Sequence, residues 1–245
     1  MEVHPPHEPI HSWRDFWIHL GTITVGLLIA ISLEQSVEGL HRIHQRHQLE
    51  ADLHAETASN EDILAHDLHD LSKYSDYLRV VRENVDALRS GKAVPPLDPR
   101  PDVNPFLPSA GAWNSARDSS ELALLPREET SIYEELYAQR EFLIHFIQDW
   151  FAAGDELNKF NSQYREKVSQ QQIDASKLTP VERDRYSTVL TNLMILTQKM
   201  MGTTQFYENE NKCILNGVES VEELHRQMQT PEPCANPESD PRKQP

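Results

Sequence analysis

Basic charge is scarce. The 245-residue chain has 23 Lys and Arg against 39 Asp and Glu, a formal net charge of −16. Binding to nucleic acid needs a basic face, so nucleic acid is excluded as the expected partner. A polybasic grip on anionic lipid is excluded on the same ground. Glycine occurs only 8 times, about half the usual share, which speaks against a loop-rich or all-β chain. The 2 cysteines are too few for a disulfide framework. There is no phosphate-binding glycine loop, no G-x-S-x-G elbow, no C-x-x-C and no basic patch interleaved with aromatics. No catalytic residue and no cofactor is therefore assigned, and a non-catalytic role is the leading expectation. An enzyme whose bundle site has no local signature is the third reading.

The 16 prolines organise what is present. Three lie in the first nine residues, six between Pro95 and Pro108, single ones at 126 and 180, and five from Pro231 to Pro245. Proline breaks helix interiors and suits first turns, so the long gaps between prolines are where long helices can run. Those gaps are roughly 10–94, 127–179 and 181–230.

The first gap opens with an apolar run, Phe16 to Leu33, that contains no Asp, Glu, Lys or Arg. Its 18 residues would span about 27 Å as a helix, enough to cross a hydrocarbon core. Trp13 and Trp17 stand where amphipathic rings favour the membrane interface, and His19 lies within snorkelling reach of it. Thr22, Gly26 and Ala30 place small residues on one face, a pattern that permits close helix approach and self-association. The run reads as one transmembrane helix over 16–33, preceded by a tail over 1–15. The alternatives are a buried helix or a cleaved signal peptide with Ala30-Ile31-Ser32 as its faint cleavage site. The region before the run has one Arg against three acids, a poor signal-peptide start.

Beyond the run the pattern becomes amphipathic. Leu64, Leu68, Leu71, Tyr74, Leu78, Val81, Val85 and Leu88 recur at threes and fours, closed by Ser90-Gly91. A weak point is expected near Thr57–Asn60, and a proline-rich loop over 92–108. A short helix after Ser109 carries Trp113, Ala116 and Leu122. Pro126 starts a long helix with the stripe Ile132, Leu136, Leu143, Phe146, Trp150, Leu157, Phe160, Tyr164 and Val168. Thr179-Pro180-Val181-Glu182 is a capping box opening the last long helix, with the stripe Val189, Leu193, Leu196, Met200, Tyr207 and Ile214. Asn216-Gly217 reads as its stop, and Ser220 with Glu223 as a second capping box. The expected fold is all-α: one N-terminal transmembrane helix, then an antiparallel bundle of long helices over 34–229, then a disordered tail over 230–245.

Candidate chemistry is thin. His7-Glu8-Pro9-Ile10-His11 matches the H-E-x-x-H zinc pattern, but Pro9 cannot sit in a helix already running through His7. His41, His44 and His47 follow at i+3 beside Glu38 and are the weak metal candidates, with His66/His69 a second pair of the same spacing. Glu38/His41 and Glu222/His225 match the Glu-x-x-His unit of di-iron bundles but lack the further core acids such a site needs. The same histidines could instead respond to pH beside their acidic neighbours. For a Cys213–Cys234 disulfide, an unbroken helix to 230 would put Cys213 about 26 Å from the helix end. Four extended residues return only about 14 Å, so the bridge requires the turn at Asn216-Gly217.

Two stretches carry a family resemblance. The first is Trp13-Arg14-Asp15-Phe16, His19-Leu20 and the run to Leu33, then Glu34-Gln35 and Val37-Glu38 with the histidines behind. The second is Ala112-Trp113-Asn114-Ser115-Ala116, leading to Leu124-Leu125-Pro126-Arg127-Glu128-Glu129 and Tyr133-Glu134-Glu135-Leu136-Tyr137. Over residues 11–140 the chain resembles a family of bacterial, Acidobacteria-like single-span membrane proteins of unknown function with a helical domain. The resemblance implies a bitopic helical protein and supplies no catalytic residues. The expected role is a membrane-anchored, non-catalytic interaction or scaffold module. Its expected partners are the lipid bilayer, a second copy through the membrane helix, and an unknown protein. The alternative is an envelope sensor whose bundle binds a small ligand, metal or proton. The expected site is the bacterial inner membrane, with the bundle outside the cytoplasm.

Overall fold

The computed structural model describes residues 13–95, 97–169 and 172–234. The His7–His11 motif and residues 235–245 of the expected tail lie outside them. The chain is helical: α1 (Trp13–Arg89), α2 (Gly111–Asp118), α3 (Arg127–Gln163), α4 (Pro180–Leu215) and α5 (Val221–Met228). Three short 3₁₀ turns and a two-residue antiparallel pair, Val168–Ser169 with Gln172–Ile173, fill the connections among the described residues. The chain divides into a unit ending at Leu49 and a unit starting at Glu50, and α1 contributes to both.

The unit up to Leu49 is the first part of α1. One stretch of it, from Phe16 on, is long and apolar enough to cross a membrane. Its large side chains, including Ile18, Ile23, Leu27, Leu28, Ile29 and Leu33, are exposed. Thr22 and Thr24 turn their hydroxyls back to the carbonyls of Ile18 and Leu20, at 2.9 and 2.8 Å, so neither leaves an open donor on the apolar surface.

In the unit from Glu50, the later part of α1 packs with α3 and α4. Leu53, Leu64, Leu71, Leu78 and Val85 of α1 are fully buried. So are Leu136 and Leu143 of α3 and Leu190, Leu193, Met200 and Tyr207 of α4, each at 1% exposure or less. Pairings fix the directions. Gln198 reaches Ser75 at 2.8 Å, Arg82 reaches Thr191, and Arg89 reaches Asp184, so α4 runs antiparallel to α1. Phe160 stacks on Tyr186, and the Trp150 indole donates to Thr197 at 3.0 Å, so α4 is also antiparallel to α3. Glu56 meets Tyr137 and Tyr74 meets Trp150, so α1 and α3 run the same way. The return between them is made by the proline-rich segment, which lies back along α1.

The expected weak point near Thr57–Asn60 is corrected: α1 is unbroken there. The Thr57 hydroxyl bonds the Leu53 carbonyl at 2.8 Å within the helix, and Asn60 spends its amide on the returning loop. Both are fully buried. Helix ends follow local chemistry. Gly91 and Gly217 take φ of +72° and +83° in Schellman-type stops, with Lys92 N–H donating to the Ala87 carbonyl and Val218 N–H to that of Cys213. The box at Thr179 is complete, with Glu182 N–H to Thr179 Oγ1 at 3.3 Å and Thr179 N–H to Glu182 Oε2 at 2.7 Å. At α5 Ser220 caps Glu223 N–H at 3.2 Å, while the Glu223 carboxylate turns to Arg226, so the second box is only half formed. In the expected stripes Leu68, Leu88, Phe146, Val189 and Leu196 are only partly covered, Ile147, Ala153 and Leu190 take core positions, and Tyr164 and Val168 lie beyond the end of α3 at Gln163. The straight 3.6 count drifts by a residue over such lengths.

Candidate functional site

The densest polar arrangement lies on α1 between Glu56 and Asp67, facing the returning loop. Helix α2 has no side-chain cap of its own at Ala110. Glu56 supplies one from a different helix. Its Oε1 accepts from Ala112 N–H at 3.0 Å and Ser109 Oγ at 2.7 Å, and its Oε2 accepts from Trp113 N–H at 3.3 Å and the Tyr137 hydroxyl at 2.5 Å. A carboxylate at a helix N-terminus meets unpaired N–H groups and the positive end of the dipole. Burial raises the Glu56 carboxyl, but these hydrogen bonds outweigh burial and hold it below its ordinary value. One turn on, Asn60 clasps the backbone of Ser109 at both ends. Its Nδ2 donates to the Ser109 carbonyl at 2.9 Å, and its Oδ1 accepts Ser109 N–H at 2.6 Å. Farther along, Asp67 accepts Phe106 N–H at 3.0 Å, and burial pushes its carboxyl up to about 6. Arg140 of α3 donates to the Pro108 carbonyl at 2.7 Å. Trp113 stacks flat on Tyr137 at 5.0 Å.

Glu56, Asn60 and Asp67 thus bind the backbone of the returning loop and of the first turn of α2. Glu56 and Asp67 did not stand out in the sequence, and Asn60 was read only as part of a helix weak point. The available signal was a buried-phase position for Asn60 and Asp67 in the leucine stripe.

Above this clasp the interior between α1, α3 and α4 carries Tyr133, Tyr137 and Tyr207, all buried. Burial pushes the Tyr133 hydroxyl up to about 12, and Tyr137 and Tyr207 also rise through burial. Such phenols are neutral donors, not bases.

The residues singled out in the sequence fall elsewhere. Trp13, Trp17 and His19 are exposed on α1, and the two tryptophans pack edge to face at 5.6 Å. Thr22, Gly26 and Ala30 share one exposed face, and a Cβ built on Gly26 would meet nothing within 4 Å. Glu38 is paired with Arg42 at 3.0 Å. His41, His44 and His47 lie on exposed helix surface, and among the described residues no group of three or more His, Cys, Asp or Glu is placed to hold a metal ion. His66 lies 3.8 Å from both Asp67 and Asp70, and His225 of α5 lies 3.4 Å from Glu135 of α3. Cys213 and Cys234 are joined as a disulfide, with Cα atoms 4.9 Å apart. The Gly217 turn and α5 bring the chain back, and Asn216 Nδ2 holds the Cys234 carbonyl at 2.7 Å. No protein-family description, no curated protein and no solved structure matches the chain.

Proposed function

We propose that the protein is a single-pass membrane protein. In this reading residues 16–33 of α1 lie in the bilayer, and the helical unit from Glu50 serves as a non-catalytic interaction or scaffold module. The observation that carries the reading is the exposed, uncharged run of α1, whose large apolar side chains would otherwise face water. Burying them in lipid removes that cost. The face of Thr22, Gly26 and Ala30 supports self-association of two copies inside the membrane. The unknown protein partner is assigned to the bundle.

The Cys213–Cys234 bridge supports an oxidising compartment, hence an extracytoplasmic bundle. The bacterial inner membrane is the membrane the reading assigns, on the family resemblance. A sensor role is the second reading. The observation favouring it is that one helix, α1, contributes both the apolar run and a wall of the bundle core. A rearrangement of the core would be covalently tied to the span.

The deciding experiment is topology. Alkaline phosphatase and a fluorescent protein are fused separately to the C-terminus, and thiol labelling of Cys213 and Cys234 is read in the same cells. Phosphatase activity with blocked thiols is the expected result. Fluorescence with free thiols overturns the orientation, and recovery of the chain in the soluble fraction overturns the span.

A further inference from the structure

Glu210 belongs to no arrangement described so far. It lies on α4 inside the bundle, fully buried, and neither of its carboxyl oxygens has a hydrogen-bond partner among the described residues. Tyr207, one turn earlier, is also fully buried, and its hydroxyl feels both the Asn211 side chain and Glu210. The next residue, Asn211, donates to the Tyr207 carbonyl at 2.7 Å but leaves its Oδ1 unpartnered. The Tyr207 hydroxyl can donate, but it does not donate to Glu210, whose two carboxyl oxygens stay without a partner.

The charged groups around it are already committed. From α3, Glu135 is the like charge that Glu210 feels, and Glu135 is held by His225 of α5. From α4, Glu208 pairs with Lys212 at 2.5 Å, and Lys212 also reaches Glu61 of α1 at 3.6 Å. Glu56 of α1 carries the four bonds of its cap. Arg140 of α3, which the Tyr207 hydroxyl feels, bonds Pro108 and Glu141. No cation is paired with Glu210 among the described residues, and a buried carboxylate that accepts no hydrogen bond is strongly disfavoured.

We propose that Glu210 is a proton-binding site: the folded bundle holds it as the neutral acid, and its ionisation as pH rises loosens the end of the bundle where α4 meets α5. The added proton removes the charge that burial disfavours. On ionisation the proton leaves to water, and the charge that remains faces Glu135. The inference does not depend on the membrane reading. Burial first, and Glu135 second, push the Glu210 carboxyl up to about 8. The folded state therefore binds one more proton than the unfolded chain between the ordinary carboxyl value and about 8. The stability this proton confers is complete at the acid side of that window and is lost as pH rises through it.

The test uses the full chain in detergent micelles. Equilibrium unfolding is followed by tryptophan fluorescence from about pH 6 to about pH 9 for wild type and Glu210→Gln. The wild-type unfolding constant is expected to rise up to roughly a hundredfold more than that of the variant across this range. Parallel profiles overturn the proposal. Should Glu210→Gln not fold, a wild-type titration with carboxyl-¹³C glutamate decides by NMR. One glutamate with a midpoint near 8 is the expected result, and titration of every glutamate below about pH 6 overturns the proposal.

Discussion

The early and late stretches of α1 are built from similar apolar residues and meet opposite fates. From Ile18 to Leu33 the large side chains are exposed around the whole helix. From Leu53 to Val85 they are buried along one stripe, with charged residues such as Asp70, Asp76 and Arg79 on the other side. Composition separates the two less well than arrangement. An apolar residue at every position asks for a solvent that is apolar on all sides. An apolar residue every third or fourth position asks for a protein neighbour along one line.

Substitutions sharpen that contrast. The largest effect on unfolding is expected from Leu71→Ala, which opens a cavity at a fully buried site and should cost about 2–5 kcal/mol by denaturant titration of the full chain. Leu27→Ala is the matched control. Its side chain is exposed, so the same assay should move by less than about 0.5 kcal/mol. A large effect at Leu27 would break the comparison. The Cys213→Ser/Cys234→Ser pair opens a loop of sequence separation 21, and the loss should be about 3 kcal/mol. Reducing agent should mimic it in the wild type and leave the variant unmoved.

Glu56→Ala removes the acceptor for Ala112, Trp113, Ser109 and Tyr137 and should cost about 1–3 kcal/mol. The Glu56 carboxyl is depressed in the fold, so its contribution is present above its ordinary value and lost as pH falls through the folded one. Wild type should therefore lose more stability on acidification than Glu56→Gln, and equal losses would count against the cap. Among the variants expected to destabilise, the smallest effect is that of Thr179→Ala, about 1 kcal/mol for the box that starts α4. Circular dichroism melting resolves it if the fraying is local to the start of that helix.

Much of the architecture was readable because its determinants are local. Ser90-Gly91, Thr179 to Glu182 and Asn216-Gly217 act within one turn, and each ends or starts a helix where its chemistry requires. Thr57 to Asn60 misled for the same reason. Thr, Ser and Asn lower helix propensity by bonding to nearby backbone. Here Asn60 instead found Ser109, 49 residues away, and Thr57 bonded back within the helix. The histidines drew attention by their spacing, but spacing cannot tell a gathered site from a solvated surface. Glu56 and Asp67 were passed over, and Asn60 misread, because their partners are distant in the chain.

The amino-acid sequence by itself determined the helices and their caps, the uncharged run of α1 and the possibility of a Cys213–Cys234 bridge. These depend on period, turn chemistry and chain reach. The tertiary structure alone decided that α1 and α3 run the same way, that Glu56 caps another helix, and that Glu210 sits in the core without a donor. Those outcomes depend on which distant groups share a buried volume, and burial sets the cost of every unpaired polar atom.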